Sequence, residues 1–101
     1  MGTVVSFRPR SGPWLPTESS ALVAIQRELD RCGLVTDYTQ GNDDDSRPWR
    51  AFYNRMTGRV VAIVARSRAG YELLWADRTS AYAEKMDELV LAARSGLSRC
   101  T

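Results

Sequence analysis

The chain has 101 residues, 44% of them hydrophobic, and sets 14 Lys plus Arg against 12 Asp plus Glu with no His, for a formal charge of +2. A chain this short hides somewhat over ~60% of the surface its unfolded form exposes, enough for one core and not for two. Without His it lacks the commonest general base, the middle member of a serine triad and the usual zinc and iron ligand, so enzyme readings weaken from the start.

Residues 1–16, MGTVVSFRPRSGPWLP, hold three of the four prolines and one short β-prone patch, Val4 to Phe7. They read as an arm whose apolar patch docks on the domain or on a neighbour. No secretory apolar region and no run near the ~20 residues of a membrane span is found, and Cys32 and Cys100 form no CxxC pair. The expectation is a cytoplasmic protein with reduced thiols. Cys32 continues an apolar stripe and reads as core, and Cys100 reads as an unpaired thiol.

The single α+β domain is expected over 17–97, followed by a tail at 98–101. Its first helix starts at Thr17 as N-cap, carries Glu18 in the first turn, buries Leu22, Ile25, Leu29 and Cys32, and stops at Gly33. Thr36 to Pro48 is polar and turn-rich and reads as a loop. Three strands follow, near Trp49–Asn54, Arg59–Arg66 and Tyr71–Ala76, joined by turns ending in Gly58 and Gly70. Both turns suit three-residue loops closed by a left-handed Gly. A second helix is predicted from Thr79 or Ser80, with Tyr82, Met86, Leu89 and Ala93 on one stripe and Gly96 at its end. The order is α-β-β-β-α, a three-stranded antiparallel meander with both helices on one face.

Register follows from those turns. Phe52 is set opposite Ala62, Arg50 opposite Val64, Arg66 opposite Glu72 and Val64 opposite Leu74. One face then carries Trp49, Ala51, Tyr53, Val61, Ile63, Ala65, Tyr71, Leu73 and Trp75 and is expected under the helices. The other has an apolar centre of Phe52, Val60, Val64 and Leu74 with Arg50, Asn54, Arg66 and Glu72 around it. A patch of that kind marks an interface, so these four residues are the interface candidates, with a second copy of the chain or another protein as partner.

The charge is distributed in blocks. Asp37, Asp43, Asp44 and Asp45 fall in a stretch with no cation, and Arg47, Arg50, Arg55, Arg59, Arg66 and Arg68 follow in a stretch with no acid. The basic stretch either pairs with the acidic one or attracts phosphate, so these six arginines are the candidates for an alternative DNA-binding reading. The element order resembles double-stranded-RNA-binding domains, and the three strands with a following helix resemble sheet readers of the AP2 and integrase arm-binding type. The Thr79–Glu84 stretch lacks the Lys-rich phosphate-binding turn of the former. GxSxG, GxxxxGK[ST] and GxGxxG are absent, and the Asp triplet fails the EF-hand spacing at Pro48 and Asn54. No cofactor or metal is expected, and catalysis is not.

Two stretches resemble small alphaproteobacterial proteins of unknown function. They are Met1-Gly2-Thr3-Val4-Val5-Ser6-Phe7-Arg8-Pro9-Arg10 and the strand-turn-strand block from Pro48-Trp49 through Thr57-Gly58-Arg59-Val60-Val61-Ala62. The resemblance implies a bacterial cytosolic origin and brings no activity or site residue.

Overall fold

The computed structural model describes residues 12–31 and 33–96. Most of the expected arm, the thiols of Cys32 and Cys100 and the expected tail lie outside the described residues. In chain order the elements are α1 (Pro16–Asp30), β1 (Thr36–Asn42), β2 (Pro48–Asn54), β3 (Val60–Arg66), β4 (Tyr71–Trp75), β5 (Ser80–Ala83) and α2 (Met86–Ser95). The strands form one antiparallel sheet in the order β1-β2-β3-β4-β5. The α+β class stands, with five strands where the sequence suggested three.

α1 begins with Pro16, whose missing N–H costs nothing in a first turn. Glu18 reaches back to accept the Leu15 N–H at 2.8 Å, so the cap is Leu15 and not Thr17. Leu22, Ile25 and Leu29 are fully buried along the predicted stripe. They meet Met86, Leu89 and Ala93 of α2 and, from the sheet, Phe52, Ala62, Val64, Leu73, Trp75 and Ala83. Both helices therefore lie on one face of the sheet.

β1 replaces an expected loop. Its polar sequence, TDYTQGN, pairs from Thr36↔Asn54 to Asn42↔Pro48. The acidic triplet is the turn of that hairpin: the Asp43 carboxylate accepts the N–H groups of Asp45 and Arg47 at 2.8 and 2.9 Å, and Ser46 takes a left-handed φ of 60°. β5 replaces the expected first turn of the second helix. Trp75 donates its N–H to the Thr79 carbonyl and accepts from the Arg78 N–H, and Arg78 sits at φ 74° where sequence rules look for Gly.

The decisive difference lies in the β3–β4 turn. Gly58 has the expected left-handed φ of 74°, and β2–β3 keeps the expected pairs Arg50↔Val64 and Phe52↔Ala62, with a bulge between Phe52 and Tyr53. Gly70 is not left-handed, and no residue of its turn has positive φ. The Ser67 N–H instead donates to the Gly70 carbonyl at 2.7 Å, closing a two-residue loop of Arg68 and Ala69. That shifts β4 by one position, to Val64↔Leu73 and Arg66↔Tyr71. A one-residue slip turns every side chain of a strand to the opposite face. Gly70 serves another purpose: a Cβ there would stand 2.5 Å from the Ala83 carbonyl oxygen and 2.6 Å from the Tyr82 hydroxyl, so its bare backbone lets β5 close on β4.

Candidate interaction face

With the register fixed, the sheet divides cleanly. The helix-covered face carries Arg50 and Phe52, Ala62, Val64 and Arg66, Tyr71, Leu73 and Trp75, then Ala81 and Ala83. The opposite face carries Trp49, Ala51 and Tyr53 from β2, Ile63 and Ala65 from β3, Glu72 and Leu74 from β4, and Ser80 and Tyr82 from β5, with Asp37, Thr39 and Gly41 from β1. No described helix packs on it.

The four interface candidates are therefore not one patch. Phe52 and Val64 are fully buried under the helices, whereas Val60 and Leu74 are 44% and 38% exposed. The face expected to be core is the open one across β2 and β3, and only β4 keeps its expected core residues, Tyr71, Leu73 and Trp75. The inversion has a physical origin. Arg50 and Arg66 made the true core face look like a wet one, yet they are only 7% and 1% exposed.

Arg66 is held by a closed set of partners. Its guanidinium forks onto the Glu18 carboxylate through Nε and Nη2 and donates to the Gly12 and Pro13 carbonyls at 3.2 and 2.9 Å. Glu18 also accepts the Tyr71 hydroxyl, and the Arg66 charge lies 5.5 Å from the Trp14 ring centroid. Burial alone raises the Glu18 carboxyl, but the Arg66 hydrogen bond, supported by those from Leu15 and Tyr71, holds it below the usual carboxylate range. Among the described residues Arg50 has no acid partner. It donates from Nε and Nη2 to the Gln40 Oε1 at 3.0 and 2.7 Å and stacks 3.9 Å over Tyr38, and burial pushes its pKa down. Between the helices, Arg94 donates twice to Glu28, which lowers the Glu28 carboxyl. These ionised groups join elements of the fold to one another.

The six arginines of the DNA alternative are dispersed. Arg50 and Arg66 are inside. Arg47 pairs with Asp45 at 3.3 Å in the β1–β2 turn, and Arg68 is exposed in the β3–β4 turn at the same end of the sheet. Arg55 and Arg59 are exposed at the opposite end, in the β2–β3 turn. Among the described residues no group of three or more His, Cys, Asp or Glu is placed to hold a metal ion, and no helix is long and apolar enough to cross a membrane.

The open face is continuous. Trp49, Ala65, Glu72 and Tyr82 lie side by side across four strands, and Ala51, Ile63, Leu74 and Ser80 form the next row. The Trp49 indole lies over the β1 backbone at Gly41, where a Cβ would come within 2.8 Å of the ring. Leu74 and Tyr82 are exposed, Tyr82 at 57%, and Trp49, Tyr53, Ile63 and Ala65 are partly so. Trp49, Tyr53 and Ile63 were legible as an apolar face from their period-two alternation. Tyr82 had no such signal, because its strand read as helix. Comparison with protein-family models, with curated proteins and with solved structures finds no match to the chain.

Proposed function

We infer that the protein is a small non-catalytic interaction module that self-associates through the open face of its sheet. The observation that carries the reading is an unpartnered apolar face, with Trp49, Tyr53, Ile63, Leu74 and Tyr82 on one side of a sheet whose other side is filled by both helices. Aromatic residues at the centre of a patch are the usual anchors of protein contacts. Two such faces pack about 10 Å apart with their side chains interdigitated.

Size sets the strength. Strands about 4.8 Å apart, with about five residues each at roughly 3.3 Å, give a footprint on the order of 400 Å² before side-chain relief is added. A standard interface buries about 800 Å² per partner, so the expected dimer is reversible and of modest affinity. Sedimentation over a concentration series tests it. Dimer formation that Leu74→Glu abolishes while the circular dichroism spectrum is kept supports the reading. A wild-type chain that stays monomeric at the highest concentration refutes it.

A further inference from the structure

β1 is an edge strand of the sheet, and only part of its outer rim is closed. The Asp43 N–H donates to the Arg47 carbonyl and the Arg55 N–H to the Val35 carbonyl, both at 2.9 Å, and the register between these two pairs is unbroken. Odd-numbered residues of β1 therefore turn their backbone groups toward β2, and Thr36, Tyr38, Gln40 and Asn42 turn theirs outward. Side chains close the beginning of this rim. Asp30 Oδ1 accepts the Thr36 N–H at 3.3 Å, Gln26 Nε2 donates to the Thr36 carbonyl at 3.2 Å, and Asp37 Oδ1 accepts the Tyr38 N–H at 2.8 Å. From the Tyr38 carbonyl through Gln40 to Asn42, no hydrogen bond among the described residues reaches the outward N–H and C=O groups, and Gln40 and Asn42 are exposed. An open rim of this kind is a template for another strand.

The open half stands beside a recess. Pro13, Trp14, Gln40, Gly41, Asn42 and Pro48 line a cleft of about 270 Å³, and Gln40 and Asn42 lie on the helix-covered side with Arg50. A strand added along β1 sets its residues opposite Gln40 and Asn42 toward that cleft, where Trp14 and the two prolines suit an apolar side chain, and its alternate residues toward the open face. Charge decides the rest of the occupant. Residues 36–46 hold Asp37, Asp43, Asp44 and Asp45 and no cation. Of the nearby arginines, Arg47 is paired with Asp45, and Arg50 is buried against Gln40 and Tyr38. A second copy fits this rim poorly, because β1 against β1 about Gln40 sets Asp37 opposite the copy's Asp43, like charge against like.

We propose that residues 38–42 take an extended cationic peptide segment of a partner protein as a sixth strand, with an apolar residue in the Trp14 cleft and Lys or Arg at the alternate positions. This rim is separate from the open face, so the proposal stands whether or not the chain self-associates.

The test titrates the wild-type chain, at a concentration where it is monomeric, with an acetylated and amidated Lys-Val-Lys-Leu-Lys-Val-Lys peptide and follows the backbone amide resonances. Saturable shifts centred on Gln40 and Asn42, with slowed hydrogen exchange at those two amides, are expected. N-methylation of the Val and Leu residues removes the N–H groups that face β1 and is expected to weaken binding at least about tenfold, whereas N-methylation of the Lys residues, whose N–H groups face away, changes it less than about twofold. A Glu-Val-Glu-Leu-Glu-Val-Glu peptide is expected not to bind. Equal binding of the two N-methylated peptides reduces the contact to charge attraction and overturns the added strand. Shifts centred away from residues 38–42, or none at millimolar peptide, overturn it as well. So does protection of Gln40 and Asn42 that grows with protein concentration in the absence of peptide, which assigns the rim to a second copy.

Discussion

Replacing Arg66 with Met removes the charge that balances Glu18 while filling much of the same volume. The side chains of this pair are 0% and 5% exposed, and Arg66 supplies both prongs of the fork as well as the donors to the Gly12 and Pro13 carbonyls. Removing one member of a buried ion pair costs about 3–5 kcal/mol, a large share of the ~5–15 kcal/mol that holds a domain together. For a chain of this size, that corresponds to a fall in Tm on the order of 10–40 °C. Urea unfolding followed by tryptophan fluorescence reads it, and pH supplies an internal check. The wild-type Glu18 carboxyl is held below its unfolded value, so its stabilisation is full above the ordinary carboxylate pKa and is lost as pH falls toward the folded one. In Arg66→Met the same carboxyl is buried without its cation and its pKa rises, so acid favours the folded variant. The gap between the two proteins must therefore narrow from pH 7 to pH 4. A loss below ~1 kcal/mol at pH 7, or a gap independent of pH, refutes the assignment of this pair as the anchor of the N-terminal residues.

Other substitutions probe the register. Phe52→Ala is expected to cost about 3–5 kcal/mol in chemical denaturation, because it empties a fully buried site, whereas Leu74→Ala on the open face costs less than ~1 kcal/mol. Gly70→Ala places a methyl 2.5 Å from the Ala83 carbonyl oxygen and should lower stability by about 1–3 kcal/mol, with hydrogen exchange accelerated first in β5. Arg78→Gly relieves a side chain held at φ 74° and should raise the denaturation midpoint by the equivalent of about 0.5–1 kcal/mol.

The helix stripes and the three central strands were legible because their period and turn chemistry agree with the fold. β1 was hidden because an edge strand with solvent on its flank needs no apolar alternation, and six of its seven residues escape full burial. β5 was hidden because Ala81 and Ala83 suit a helix as well as a strand and because Arg78 occupies a position for which Gly is the usual sign. The interface face was inverted by two errors acting together. Gly70 suggested a left-handed closure where the fold needs only a close approach, and Arg50 and Arg66 suggested water where the fold has a buried fork and a cation stacked on Tyr38. Composition does not show that Glu18, far away in sequence, would meet Arg66, so an arginine in a strand looks solvated until its partner is placed.

The proposed self-association places a second copy of the chain on the Trp49, Tyr53, Ile63, Leu74 and Tyr82 face. Sedimentation equilibrium of the wild-type chain beside Ile63→Glu, both checked for folding, tests it most directly. The expected result is a concentration-dependent dimer for the wild type and a folded monomer for the variant. A variant that dimerises as well as the wild type would contradict it.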